Sequence, residues 1–202
     1  MVRMRSALSA RRQIIAYIVI ACASFLVLMT AACMVLDPGL FDHPHWGLSY
    51  YGSQRVTVLP YYVGYIIVLA CLAQITRLLW RLNNRWRRLR MVFLVSAALT
   101  FLVAATSYMD WSTFVWWAHI YVCLALLLWV FGSEVWVMAR PGRTLLDYAA
   151  LILLICGMVL IFLTSEWVGG GVLNGYYWAE VVLFLGAFAC LGRAALRAIE
   201  SN

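Results

Sequence analysis

Lysine is missing altogether: the fifteen basic residues are all arginine. A retinal-type Schiff base and a Walker-A phosphate loop both need a lysine, so neither chemistry is open to this chain. Charge as a whole is scarce, at 11% of residues where soluble domains carry about 25%. No C-x-x-C and no H-E-x-x-H occurs, which removes a thiol-redox pair and a zincin helix. Of the three histidines, His119 alone falls within an apolar run, so a diheme bundle built on facing histidine pairs is excluded. The six cysteines all lie in apolar runs, where cysteine acts as a small hydrophobe.

What the chain does contain is apolar surface. Hydrophobic residues make up 66% of it and the mean hydropathy is +0.91, against about 45–50% apolar in soluble domains. A water-soluble fold could not cover this surface, and disordered chains are poor in hydrophobics. The composition leaves an all-α polytopic membrane protein, a single transmembrane domain over residues 1–202.

Six segments reach the roughly 20 apolar residues that a bilayer crossing needs: 14–36, 57–79, 91–109, 113–138, 145–164 and 176–191. Backbone groups in lipid must bond internally, and none of the segments alternates with a period of two, so six helices are expected. The last is short and is expected to run on helically towards Arg197. Asp37-Pro38-Gly39 and Arg140-Pro141-Gly142 terminate the first and fourth helices, and Thr144-Leu145-Leu146-Asp147 reads as a capping box opening the fifth. Asp147 then needs no catalytic role. Thr30-Ala31-Ala32-Cys33 lacks the Leu-type residue of a lipoprotein cleavage box and the apolar run continues past it, so the first helix is expected to be retained.

Arginine sets the orientation. Fourteen arginines fall at the N-terminus, the two–three and four–five connections and the C-terminal end, against Arg55 alone on the other side. The positive-inside rule places both termini in the cytoplasm of a cell (inner) membrane. It also accounts for the net charge of +7 without nucleic acid.

The outer side collects the unusual residues. The long first loop, 37–56, is rich in aromatics and is expected to fold back over the helix ends; Gly169-Gly170-Gly171 makes the fifth connection a flexible turn. His43-Pro44-His45 with Asp42 is the nearest approach to a metal motif, a place for zinc completed by Asp110 or His119. Otherwise no cofactor is indicated. His119, about 9 Å into helix four at 1.5 Å per residue, and Glu180, a turn into helix six, are expected to face inward and share a hydrogen bond. With Asp110, Trp116, Trp117 and Tyr177 they form the candidate ligand-binding set, although the tryptophans also suit an interfacial aromatic belt. Glu134 is expected to pair with Arg77 or Arg81, near Gln74. Gly186, Cys190 and Ala194 recur every four residues on helix six, a face for another helix of the bundle or of a partner membrane subunit.

The stretch Gly47-Leu48-Ser49-Tyr50-Tyr51-Gly52, followed by Pro60-Tyr61-Tyr62-Val63-Gly64, resembles the Frag/DRAM-like six-helix membrane proteins and related bacterial six-helix families of unknown function. Those proteins carry a Ser/Gly-containing motif in the first outer loop, shortly before helix two. The resemblance covers the first third of the chain and the helix count; it carries over no catalytic residue and implies a non-enzymatic membrane protein. The function expected is therefore a non-enzymatic binding or scaffold component with an aromatic and acidic outer face able to bind lipid. The alternative is a small transporter or membrane enzyme working on a lipid or proton through the outer His/Asp/Glu cluster.

Overall fold

The computed structural model describes residues 2–39, 47–81, 87–108, 113–165, 173 and 175–200. Among these residues there is no strand, and six helices are long and apolar enough to cross a membrane. The first is composite: α1 (Val2–Ser24) runs into a π-helical stretch, Phe25–Ala32, and ends in α2 (Cys33–Leu36). A short α3 (Tyr50–Ser53) precedes α4 (Val58–Trp80), α5 (Arg87–Tyr108), α6 (Thr113–Met138), α7 (Leu145–Thr164) and α8 (Tyr176–Glu200).

Most ends lie where local chemistry puts them. Thr144 and Asp147 form the expected capping box, with the Thr144 N–H donating to Asp147 Oδ2 at 2.7 Å. Gly142, at φ +86°, makes the turn between α6 and α7, a conformation in which a side chain would be strained. Helix α8 continues nine residues beyond 191 because its last turns are buried against the bundle, Ala195 and Ala198 being wholly covered. Two helices start earlier than the apolar runs suggest, α1 and α5, since arginine is a good helix former and its charge can reach water from a helix end.

Helix α8 organises the bundle, packing most closely on α7 and also touching α1, α4, α5 and α6. Around it the sequence neighbours α4–α5 and α5–α6 pack in antiparallel pairs, with α1 against α4. The α7–α8 contact is glycine-made. A Cβ on Gly157 would lie 2.4 Å from Leu183 Cα, and one on Gly186 would lie 2.6 Å from Leu154 Cα. Backbone therefore meets backbone from both sides, the geometry that lets dispersion hold helices together where no hydrophobic effect acts between them. Cys190 and Ala194 continue this face and are buried, so the small-residue face of α8 is taken up inside the bundle of one chain.

The alternating helices define two ends. One carries residues 37–39, 47–57, 108, 113, 165, 173, 175 and 176; the other carries most of the arginines among the described residues. Residues 47–57 turn in over the arginine-poor end, with Leu48, Tyr51 and Thr57 all buried. Tyr50 Oη donates to Asp37 Oδ2 at 3.1 Å and so ties α3 to the end of the first long helix.

Candidate functional site

Polar side chains gather in two clusters. In the arginine-poor half, α5 and α6 meet through Thr106 and His119. Thr106 Oγ1 lies 2.8 Å from Leu102 O and 2.9 Å from His119 Nδ1. Its single proton goes to the carbonyl, and the ring, which also bonds the Val103 backbone, then donates from Nδ1. Nε2 is then an acceptor, and Cys123 Sγ lies 3.5 Å from it, one turn along α6. This tautomer is assigned from the network. His119 is 7% exposed and both its nitrogens are engaged by the chain itself.

Glu180, a turn into α8, has a different partner. Leu48 N donates to Glu180 Oε2. The carboxylate lies directly against Gly47, where a Cβ would meet both of its oxygens at 2.6 Å. A bare backbone segment from the first loop thus covers an acidic group in the bundle, and only glycine permits so close an approach. Tyr61, Tyr65, Tyr176, Tyr177 and Cys123 also face the Glu180 charge. Cys123 is the neighbour that His119 and Glu180 have in common; the hydrogen bonds described for the two go to Thr106 and Cys123 in one case and to Leu48 in the other.

Tyrosines fill the space between. Tyr61 Oη donates to Ser107 Oγ at 3.3 Å and Tyr62 Oη to Ala104 O at 3.0 Å, while the Tyr61 ring meets Tyr65 edge-on at 5.1 Å. Gly52 fits beside them, since a Cβ there would lie 2.8 Å from the Tyr61 ring. Tyr51, on α3, is fully buried; that burial pushes its phenol up, with Tyr177, Cys33 and Asp37 adding to the shift.

Of the candidate ligand set, Tyr177 is buried and donates to Met34 Sδ. Trp117 instead looks out of the bundle, 43% exposed and stacked on Tyr121 at 5.9 Å. Phe114, Tyr121 and Trp178 are exposed as well. Asp110 and the Trp116 side chain lie outside the described residues, as do Asp42, His43 and His45 of the proposed zinc motif. Among the described residues no three His, Cys, Asp or Glu side chains come together as a metal site.

The second cluster lies at the arginine-rich end. Asp147 pairs with Arg193 Nε at 2.8 Å and stands 4.0 Å from Arg197 Nη1. Arg197 also donates to Val137 O, Arg140 O and Pro141 O at 2.9–3.2 Å, closing the C-terminus of α6. Arg90 does the same for α4 through Leu79 O at 3.0 Å. Cations at helix C-termini satisfy free carbonyls and complement the dipole. Glu134, 2% exposed, faces Asp147, Arg197 and Arg193 rather than the anticipated Arg77 or Arg81, because α6 packs its last turns on α8. Its Oε1 has no hydrogen-bond partner.

Comparison with known families, with curated proteins and with solved structures finds no match to this chain. The class that the fold defines is an all-helical bundle with six helices long and apolar enough to span a membrane.

Proposed function

We propose that the chain is an integral, multipass membrane protein with both termini in the cytoplasm, serving as a non-enzymatic binding or scaffold component whose outer face meets lipid. The arginine-poor end is then the outer end, and Phe114 and Trp178, exposed in the first turns of α6 and α8, suit the headgroup level. One observation carries the reading. Among the described residues, the two ionisable groups of the outer cluster that lie within the long helices are engaged in holding the chain together: Glu180 receives the Leu48 N–H under Gly47, and His119 is fixed between Thr106 and Cys123. A carboxylate that anchors a loop supports a rigid outer platform better than it supports turnover. The likeness of residues 47–52 and 60–64 to the Frag/DRAM-like proteins points the same way, since it brings no catalytic residue with it.

The experiment is reconstitution of the full chain in liposomes loaded with a pH-sensitive dye. The reading expects no proton flux above that of empty liposomes, with Glu180→Gln and His119→Gln indistinguishable from the unmodified chain. Flux that the unmodified chain supports and Glu180→Gln abolishes would replace it with the transporter reading.

A further inference from the structure

The arginines of the arginine-rich end fall into two groups. On the side built by α6, α7 and α8 the chain uses them itself. Arg193 pairs with Asp147, Arg197 closes the carbonyls that end α6, Arg143 reaches Tyr148 Oη at 3.5 Å and Arg140 lies 4.2 Å from the Trp136 ring. On the side built by α4 and α5 the case is different. Arg77, Arg81, Arg87 and Arg88 are exposed, and none of their guanidinium groups has a partner among the described residues. Residues 43–109 contain no Asp or Glu, so nothing on α4 or α5 neutralises them. The four also stand together. Arg77 and Arg81 are one turn apart on α4, a spacing at which like charges repel. Arg90 Nε donates to Leu79 O at 3.0 Å, which sets the first turn of α5 beside the last turn of α4 and brings Arg87 and Arg88 to the same level.

Beneath these charges both helices turn apolar at once. Trp80, 62% exposed, stands at the boundary with the Arg90 guanidinium 5.4 Å from its ring, a place that suits an amphipathic aromatic. On α5, Met91, Leu94 and Ala98 follow Arg87 down one exposed face. On α4, Ala73, Ala70 and Ile66 continue the exposed face of Arg77 and Arg81, with Gln74 beside them. From Arg87 to Ala98 is about 16 Å at 1.5 Å per residue, close to the ~15 Å depth of one leaflet. A ligand that fits this face carries negative charge at one end and hydrocarbon below it. An RNA or an acidic protein supplies the first and not the second. Guanidinium forks also match phosphate oxygens two at a time.

We propose that the α4–α5 face of the arginine-rich end binds an anionic phospholipid. Arg77, Arg81, Arg87 and Arg88 hold its phosphate, and its acyl chains lie along Met91, Leu94 and the outward face of α4. The arginines then select a class of lipid as well as orienting the chain. The proposal rests on the reading of a membrane-inserted chain and holds for whichever leaflet surrounds that end.

The test is native mass spectrometry of the full-length chain in detergent, titrated with phosphatidylglycerol and phosphatidylcholine of identical acyl chains. An arginine near an anionic surface is worth about fivefold in affinity, so the unmodified chain should prefer phosphatidylglycerol by at least about tenfold. Replacing all four residues (Arg77→Gln, Arg81→Gln, Arg87→Gln and Arg88→Gln) should reduce the preference to about twofold or less. Arg55→Gln, at the opposite end, should leave it unchanged. Equal binding of the two lipids, or a preference that survives the fourfold substitution, would overturn the proposal. Displacement of the lipid by an equal concentration of inorganic phosphate or of an RNA oligonucleotide would also overturn it, and would assign the arginines to a soluble anion. Should the fourfold variant fail to fold, Arg81→Gln with Arg87→Gln takes its place, and the preference should fall by at least about fivefold. Carbonate extraction from phosphatidylcholine vesicles, measured alongside, separates this proposal from the reading beneath it. A chain that stays inserted yet shows no preference refutes the lipid site alone; one that is extracted refutes the membrane reading and the site with it.

Discussion

Gly47 and Glu180 are 133 positions apart, yet neither could be exchanged without consequence for the other. A methyl group on Gly47 would be driven into both carboxylate oxygens, so Gly47→Ala must move either the loop or the acid. We expect a loss of about 1–3 kcal/mol, the usual cost of overpacking a filled site, read as a lowered unfolding midpoint in detergent. His119 gives a milder prediction. Thr106→Val removes one of the ring's two partners on α5, leaving the Val103 backbone, and should cost up to about 1 kcal/mol, whereas a raised midpoint would show that Thr106 does not hold the ring. These pairings mark where sequence reasoning stops. The capping box of Thr144 and Asp147 was legible because both residues belong to one helical turn. That His119 is a buried polar group with partners, and Glu180 a half-buried one, was also legible, from the cost of charge at membrane depth. Their partners were not, since Leu48, Thr106 and Cys123 are chosen by packing between segments, and a backbone N–H carries no sequence signal at all.

At the scale of elements, glycine does opposite things on neighbouring helices. Gly157 and Gly186 each sit where a Cβ would strike the partner helix backbone, and Gly132 on α6 has nothing within 4 Å of that position. Gly157→Ala and Gly186→Ala should therefore separate α7 from α8 and lower stability. Gly132→Ala should raise it by up to about 1 kcal/mol through helix propensity alone. A parallel thermal series on the three variants checks the contrast, and the same sign for all of them would refute it. The four-residue spacing of Gly186, Cys190 and Ala194 announced a helix-packing face, but Gly157, isolated in a run of large residues, gave no such signal. Arginine shows the same partial legibility. Counting finds the arginine-rich end; only the structure places Arg90 and Arg197 on the last carbonyls of α4 and α6. A lysine delivers a point charge without the fork, so Arg197→Lys should keep the pairing with Asp147 weakly while releasing some of Val137 O, Arg140 O and Pro141 O. The expected result is a lower midpoint with earlier proteolysis in the 139–144 connection. The π-helical stretch and α3 were not readable either: no local propensity marks the first, and the second is held by its packing on α4 and α5.

For the whole molecule, the six apolar segments were the strongest message in the chain, and six helices of membrane length carry it out. Their outward faces are covered in Val, Ile, Leu and Phe, including Val19, Val27, Leu59, Ile66, Phe101 and Ile152, a surface that water would not tolerate and lipid would. The claim on which the functional reading rests is that this bundle is threaded with Arg55 and the first loop outside and both ends within. Site-directed labelling tests it directly. Ser53 and Arg81 are exposed at opposite ends of the bundle, and Cys33, Cys71 and Cys190 are buried where an impermeant maleimide does not reach. In intact cells, Ser53→Cys should label at once and Arg81→Cys only after the membrane is permeabilised. Labelling of Arg81→Cys in intact cells, with Ser53→Cys protected, would contradict the topology and with it the placing of the aromatic face.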